Sequence, residues 1–328
     1  MGKTSFYVGI DVGKDELWVA VEGSKPRMFT HSVSGIRLLY QWVRRLSDGL
    51  EVHICMEATG VYSLSVAYQL DNYSDILISI INPVQIANYG KAQLRRSKTD
   101  RIDAQIILSF AQSQHPPLWS PDSEALRKLY HLVTQADLIR EDLSRWNNRG
   151  HAQKYTPDVP NEVKKAQRAI RRSLKNQLAK IEQAIVQLCK NNKELREQVD
   201  LLCTIVGIAQ LTAVRVLAYG RKALTERSRS QLTAHAGLAP RHHQSGTSIH
   251  GKSYIAKQGD KRLRKALFMP TLTAITHNSI IKQFYQRLLE NGKSKMAAVV
   301  ASMKKLLHII RAMLIKKKAF NPQILTLT

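Results

Sequence analysis

Residues 6–22 of the 328-residue chain, FYVGIDVGKDELWVAVE, decide the fold of its N-terminal part. The apolar run at 6–12 predicts a buried strand that contains Asp11 near its end, and the alternating pattern at 16–22 predicts a half-buried strand. The Gly-Lys pair at 13–14 predicts a turn between these strands, so we expect an antiparallel hairpin. Residues 27–33, RMFTHSV, are the candidate for a third antiparallel strand.

Helix and strand patterns alternate downstream of this hairpin. Apolar residues at helical spacing predict a helix over 35–46, and VHICMEA at 52–58 predicts a buried strand. A helix follows at TGVYSLSVAYQL, and Asn82-Pro83 stops the buried strand ILISII at 76–81. The order β-β-β-α-β-α-β-α predicts an α/β domain with a mixed sheet covered by helices.

The middle of the chain predicts two long amphipathic helices. One apolar stripe runs from Leu129 to Trp146, and another, from Leu174 to Leu202, has alternating spacings of four and three residues. That spacing is typical of a coiled-coil seam, in which Asn192 would be a polar insert that fixes the register. We therefore expect a coiled-coil hairpin that also dimerises. The alternative is an ordinary pair of amphipathic helices in a globular bundle.

The chain therefore divides into three predicted domains: an α/β domain at 1–120, a helical coiled-coil region at 121–203, and a mostly α domain at 204–328 with a loop-like centre at 238–261. Three scattered cysteines indicate neither a disulfide framework nor a zinc site. The apolar runs are too short to span a membrane, and the N-terminus has no signal-peptide pattern. We therefore expect a cytoplasmic protein without a membrane partner.

Positive charge is concentrated towards the C-terminal end of the sequence. Lys and Arg number 50 against 25 Asp and Glu, which gives a formal net charge of +25. Residues 1–120 carry 12 basic and 11 acidic side chains, whereas residues 201–328 carry 22 basic and 3 acidic ones. This distribution predicts a nucleic-acid-binding surface in the C-terminal third. A generally adhesive basic protein is the alternative.

Four acidic residues in the near-neutral first third are candidates for one shared site. Asp11 and Glu57 end two strands, and their carboxylates would emerge at the same sheet edge if the strands are neighbours. Asp100 and Asp103 would share one helix face, and Thr99 is a candidate N-cap for that helix. Four carboxylates suit Mg²⁺ or Mn²⁺, which can act on a phosphodiester. By itself, Asp100 could instead be a first-turn acid favoured by the helix dipole.

Motifs at both ends of the chain resemble one known family. YVGIDVGKDELWVAV, CMEATGVY, INP and KTDRIDAQ resemble the N-terminal domain of the DEDD transposases, and HAGLAPRHHQSGTSIHGKSYIAKQGDKRLRKALFMP resembles their second domain. These insertion-sequence recombinases, which include the pilin-gene DNA invertases, have a RuvC-like, ribonuclease-H-type first domain. The resemblance implies that the catalytic and metal-binding residues include Asp11, Glu57, Asp100 and Asp103.

The same resemblance implies a covalent step at Ser245. It identifies this serine as the nucleophile that attacks a DNA phosphate, whereas local chemistry alone leaves Ser248 and Ser253 as alternatives. It also implies a multimer (a dimer or tetramer) and, in the insertion-sequence branch, a bridge RNA that pairs target and donor. Basic side chains near these motifs are expected to contact nucleic acid: Arg95, Arg96, Lys98, Arg241, Lys252, Lys257, Arg262, Arg264 and Lys265.

Residues 204–218, TIVGIAQLTAVRVLA, resemble a helix-hairpin-helix, whose glycine turn offers backbone N–H groups to phosphate. Val206 and Ala209 stand where the family pattern has proline and glycine. Packing of this segment into the core is therefore an alternative to direct DNA contact.

Three functions are compatible with these observations. The first is a metal-dependent DNA transposase or recombinase that works through phosphoserine, and the sequence does not separate transposition from site-specific inversion. The second is a metal-dependent junction nuclease in which water is the nucleophile and Ser245 a bystander. The third is a nucleic-acid-binding protein without activity, which the presence of all four acids disfavours.

Overall fold

The computed structural model describes residues 5–93, 99–241, 244–245, 249–250, 254–256 and 258–321. The chain forms two compact units, of which the first ends at Pro121 and the second begins at Asp122. The further division predicted near residue 203 stays a prediction. No helix within the described ranges is both long and apolar enough to cross a membrane.

The first unit is a five-stranded mixed sheet with helices, which confirms the predicted element order. Its elements are β1 (Ser5–Val12), β2 (Glu16–Val21), β3 (Arg27–Thr30), α1 (Val33–Leu46), β4 (Glu51–Glu57), α2 (Val61–Leu70), β5 (Ile76–Ile81), α3 (Pro83–Ala92) and α4 (Asp100–Gln114). The strand order is β3-β2-β1-β4-β5. Strands β1, β2 and β3 pair antiparallel, whereas β1, β4 and β5 pair parallel.

Alternate residues of the central strands face two different cores. One face packs the apolar side chains of β1 and β4 against α1 and α2, and includes Val8, Ile10, Ile54, Met56, Leu39 and Val66. The opposite face carries Cys55 and packs against α4 through Ile107 and Ala111. Each fully buried aliphatic side chain stabilises the fold by about 1.5–3 kcal/mol relative to exposure. The buried strands in the sequence therefore specify this layered arrangement.

The second unit is almost entirely helical. Its helices are α5 (Glu124–Ala152), α6 (Asn161–Asn191), α7 (Lys193–Cys203), α8 (Gln210–Gly220), α9 (Ala223–Glu226), α10 (Arg229–His235), α11 (Lys261–His277), α12 (Ser279–Glu290) and α13 (Lys295–Lys316). The predicted loop-like centre at 238–261 also contains short paired strands, so the loop prediction is wrong there. These are β6 (Pro240–Arg241) with β9 (Tyr254–Ile255), and β7 (Gln244–Ser245) with β8 (Ile249–His250).

Helices α5 and α6 form the predicted hairpin within one chain. Arg140 of α5 donates to Glu182 of α6 at 2.6 Å, and Gly150 lies against Arg171, so the two helices run antiparallel. All residues from 140 to 184 are described and none of them is buried. We call residues 140–184 the arm.

The predicted continuous seam from Leu174 to Leu202 is wrong at Asn192. Helix α6 ends before this residue, and Asn192 has extended backbone angles (φ −111°, ψ 110°). Its side-chain oxygen accepts a hydrogen bond from the Leu195 N–H at 2.9 Å, which caps α7. Asparagine favours the N-cap because its side chain satisfies an otherwise unpaired helix donor. It therefore separates two helices here, where a polar seam position was expected.

The glycine turn of the predicted helix-hairpin-helix lies against α11. Gly207 has a φ of +105°, and a Cβ at this position would lie 3.0 Å from the Pro270 carbonyl oxygen. Its neighbours Ile205 and Ile208 are buried in the core. These contacts favour packing of residues 204–218 into the core over direct contact with DNA.

Asp137 of α5 joins the hairpin to α8. Its carboxylate accepts hydrogen bonds from Arg215, Arg140 and the Tyr219 hydroxyl, the last at 2.8 Å. Burial alone would raise the pKa of Asp137, but the hydrogen bonds from Arg215 and Tyr219 lower it overall. The carboxylate therefore stabilises the fold above its unfolded pKa, and this stabilisation is lost as the pH falls.

We expect Asp137→Asn to lower the free energy of unfolding by about 2 kcal/mol at pH 7, because it leaves the partly buried Arg215 guanidinium without its counter-ion, whereas Arg140 keeps Glu182. Urea denaturation measures this change. The matched control is Asp142→Asn, since Asp142 pairs with Arg145 on the surface and such pairs contribute about 0–1 kcal/mol. Equal effects of the two substitutions would contradict the role given to Asp137.

Candidate active site

Asp11 and Glu57 lie beside each other at the ends of two neighbouring parallel strands. Ile10 of β1 pairs with Met56 of β4, and the next residue on each strand is the acid. Adjacent positions in register point to the same face of a sheet. Both side chains are half-buried. The sheet therefore brings these two predicted site residues together.

Helix α4 brings the second acid pair to the same face. The Thr99 hydroxyl accepts a hydrogen bond from the Ile102 N–H at 3.4 Å, so Thr99 caps the helix as predicted. Asp100 and Asp103 both lie in the first turn, the former exposed and the latter half-buried. Helix α4 packs against β1 and β2, and Arg101 in its first turn lies over Trp18, the cross-strand partner of Asp11. The first turn therefore lies near the end of β1.

Gly9 permits this close packing and is a residue of the site that the predicted set lacks. It lies two residues before Asp11 and therefore on the same face of β1. A Cβ at Gly9 would collide with the Ala104 carbonyl oxygen and the Leu108 amide nitrogen of α4, and would lie 2.9 Å from the Leu108 Cα. Helix α4 thus rests directly on the strand backbone. A glycine among large apolar residues in a buried strand was the available signal.

Asp11 responds electrostatically to the other three acids. Burial raises the pKa of Asp11, and the negative charges of Asp103, Asp100 and Glu57 raise it further, to about 6. A hydrogen bond with the Val12 backbone acts in the opposite direction. The pKa of Asp11 therefore responds to all three of the other predicted ligands.

The chemistry of this cluster fits a divalent metal ion. The Thr59 hydroxyl oxygen, two residues after Glu57, is buried and has no hydrogen-bond partner among the described residues. Within those residues, no three His, Cys, Asp or Glu side chains are placed to hold one ion together. Mg²⁺ commonly uses one or two carboxylates, several waters and the substrate phosphate, so it needs no complete protein cage. A bound ion would supply Lewis acidity at a phosphoryl oxygen.

Arg101 and Trp18 hold the first turn of α4 over the sheet. Trp18 of β2 is the cross-strand partner of Asp11. The Arg101 guanidinium lies over the Trp18 ring, 4.7 Å from its centroid. Such cation–π contacts stabilise by about 0.5–1 kcal/mol at exposed sites. Arg101 lies between Asp100 and Asp103 in the sequence. Its contact with Trp18 could not be predicted from the sequence, because the two residues are far apart along the chain.

The predicted nucleophile lies in the second unit. Ser245 is the last residue of β7 and pairs with Ile249, and only its backbone is described. Its side-chain chemistry and its relation to the four acids stay predictions.

The predicted nucleic-acid contacts fall into three groups. Five of them lie outside the described residues: Arg95, Arg96, Lys98, Lys252 and Lys257. The backbone of Arg241 is described in β6, but its side chain lies outside the described part. The remaining three side chains, at the start of α11, have partners within the protein. Arg262 donates to the Tyr130 hydroxyl, Arg264 to the Ala236 carbonyl oxygen, and Lys265 to Glu141.

Two family models match the chain. A model described as a transposase, of the DEDD type of IS110, matches residues 8–153, and the Transposase IS116/IS110/IS902 family model matches residues 199–286. The first range contains the four acids and the second contains Ser245. The predicted site residues therefore lie inside the matched regions.

Three relatives extend this similarity. A pilin gene-inverting protein of Moraxella bovis is 32% identical over 334 aligned positions, which cover 99% of both chains. The pilin gene-inverting protein of Moraxella lacunata is 31% identical over the same proportions. The insertion element IS110 uncharacterized 43.6 kDa protein of Streptomyces coelicolor is 26% identical over 114 residues, 35% of this chain and 28% of that protein. With its mixed sheet followed by helices, and with this similarity along its whole length, the chain belongs to the IS110 family of transposases.

Proposed function

We propose that this protein is a metal-dependent recombinase that cuts and rejoins DNA. Asp11, Glu57, Asp100 and Asp103 would hold Mg²⁺ or Mn²⁺ beside a DNA phosphate. The observation that carries this proposal is geometric: Asp11 and Glu57 end neighbouring strands in register, and Asp100 and Asp103 lie in the first turn of the helix packed on β1. Burial first, and then the charges of these three acids, raise the pKa of Asp11 to about 6. Perturbed carboxylates of this kind are typical of functional sites in general.

Ser245 is the proposed nucleophile. Its oxygen would form a bond to phosphorus as one backbone P–O bond breaks, and the leaving sugar oxygen would take up a proton. Attack by the hydroxyl of another DNA strand would then restore a phosphodiester and release the serine. A covalent intermediate divides the exchange into two steps and preserves the phosphodiester bond energy. Support for Ser245 comes from its motif and from its position within the second family match.

Site-specific inversion is the second candidate for the biological outcome. Two relatives that align along the whole chain are named pilin gene-inverting proteins, whereas the named insertion-element protein aligns over part of it. Both outcomes use the same strand exchange. They differ in which DNA ends are joined.

A bridge RNA and a multimer complete the proposal. The formal net charge of +25 suits binding of more than one nucleic-acid molecule. A dimer or tetramer would let acids and serine from neighbouring subunits act on one phosphate. Purification of the protein, followed by sequencing of any RNA that copurifies, tests whether it binds a bridge RNA.

We expect Ser245→Ala to abolish the covalent protein–DNA adduct and strand rejoining while leaving DNA binding unchanged, because it removes only the attacking oxygen. Denaturing gel electrophoresis of a labelled DNA substrate measures the adduct. Ser248→Ala and Ser253→Ala are matched controls from the same segment and should retain it. If Ser245→Ala still cuts branched DNA in the presence of Mg²⁺, the protein is instead a junction nuclease.

A further inference from the structure

The arm carries a concentrated positive charge that the proposed chemistry does not use. Residues 149–175 contain eight Lys and Arg but only two acidic residues, Asp158 and Glu162. Within the described part of the chain, none of these eight cations forms a salt bridge. The arm therefore presents many cations without an acidic partner among the described residues, although Arg149 lies over the Trp146 ring.

A cleft of about 520 Å³ lies at the tip of the arm, where α5 turns back into α6. Four of its lining residues are cationic, namely Lys154, Lys164, Arg168 and Arg171. We call it the tip cleft. Converging positive side chains raise the local electrostatic potential, which attracts polyanions.

Arg171 lies where the two helices approach each other. A Cβ on Gly150 would lie 3.2 Å from Arg171 Nη1, so the glycine leaves room for this guanidinium. The Nε atom of Arg171 is buried and has no hydrogen-bond partner in the described residues. Buried donors are almost always satisfied, so this nitrogen suits an acceptor from outside the chain. A phosphate oxygen matches the geometry of a guanidinium donor.

An aromatic side chain stands beside these cations. Tyr155 is 78% exposed, and its ring lies 5.4 Å from that of His151, which lines the tip cleft. Cations that follow a backbone, with an exposed aromatic ring beside them, are the usual elements of nucleic-acid grooves. An acidic protein segment would account for the cations but not for the exposed ring.

We propose that the tip cleft binds the phosphodiester backbone of a nucleic acid through residues other than the four acids. With a rise of 1.5 Å per residue, the arm holds this site about 20–30 Å along α6 from the buried Ile185. The contact is independent of base identity, because it is made to phosphates. This inference rests on the DNA-handling part of the proposed function and not on the metal or Ser245.

Lysine acetylation footprinting of the intact protein tests this inference. Duplex DNA and a structured RNA are added separately, and mass spectrometry then compares Lys154 and Lys164 with Lys190, an exposed lysine outside the arm. We expect either duplex DNA or the RNA to protect the two tip lysines from acetylation. The nucleic acid that protects them identifies which phosphodiester backbone the tip cleft binds. Absence of protection by both, while the protein binds them, overturns the inference. Protection that depends only on protein concentration assigns the tip cleft to a second copy, which also overturns it.

A triple substitution measures how much the tip cleft contributes to nucleic-acid affinity. Lys154→Ala, Lys164→Ala and Arg168→Ala together should weaken binding by about tenfold or more at 0.1 M salt, since each lost phosphate contact lowers the salt slope by about 0.9. The matched control removes three exposed cations that do not line the tip cleft, Lys180, Lys190 and Arg196. Equal losses for both triple variants would contradict a specific site. Complete failure of the unmodified protein to bind either nucleic acid would instead contradict the proposed function.

Discussion

Asp11→Asn should abolish recombination and at the same time make the protein more stable above pH 6. The substitution removes a proposed metal ligand, and metal ions contribute several kcal/mol to stabilising the charge of a transition state. A loss of about three orders of magnitude in rate is therefore expected, since about 1.4 kcal/mol corresponds to a factor of ten.

The stability gain follows from the pKa of the same residue. The pKa of Asp11 is about 6 in the folded protein against a usual value of 3.8, because burial and three neighbouring acids oppose its ionisation. Below pH 3.8 Asp11 is protonated in both states and does not oppose folding. As the pH rises from 3.8 to about 6, folding becomes progressively less favourable, because the unfolded chain ionises Asp11 more readily than the folded protein does. Asparagine has no such penalty. Solvent screening of this half-buried group limits the expected gain at pH 8 to about 1–2 kcal/mol.

Urea denaturation without metal, at pH 4 and pH 8, measures this difference. Asp15→Asn is the matched control, because Asp15 is an exposed acid in the adjacent turn. Adding Mg²⁺ should stabilise the wild type at pH 8 and have less effect on Asp11→Asn. A variant less stable than the wild type at pH 8 would show that Asp11 is a structural residue.

Gly9→Ala should unfold or misplace the site without changing any acid. A methyl group there meets the backbone of α4, which cannot move away as a side chain could. Overpacking of this kind commonly costs about 1–3 kcal/mol, and we expect the upper end. Because α4 carries Asp100 and Asp103, its displacement by about 1 Å should lower the recombination rate about a hundredfold.

Gly90→Ala is the matched control for Gly9→Ala. Gly90 lies in α3, and a Cβ there would meet the Ile106 Cδ1 at 3.3 Å, the far end of a flexible side chain. Alanine also favours a helix over glycine by about 1 kcal/mol. Thermal denaturation and recombination assays should therefore show Gly90→Ala close to the wild type. If Gly9→Ala matches this control in both assays, α4 does not depend on close contact with β1.

The sequence predicts the first unit well because its signals are local. Buried strands have apolar runs, and the turn after Asp11 and the Thr99 cap involve residues a few positions apart. The sequence does not predict that Gly9 lies under α4 or that Arg101 stacks on Trp18, because each contact joins distant segments. Asn192 illustrates a competing signal. Its heptad position predicts a seam residue, but its capping propensity ends one helix and begins the next.

The boundary between the buried and the exposed parts of α5 and α6 separates the length of the arm from the integrity of the fold. Buried side chains end at Ile139 in α5 and resume at Ile185 in α6, and within the arm Leu178 and Ile181 pack against the core as partly buried side chains. Removing matched whole turns between the tip and Leu178 would shorten the arm by about 5.4 Å per turn and leave these core contacts intact. The arm can therefore act as a spacer of adjustable length, because its exposed turns can be removed without compensating changes in the core.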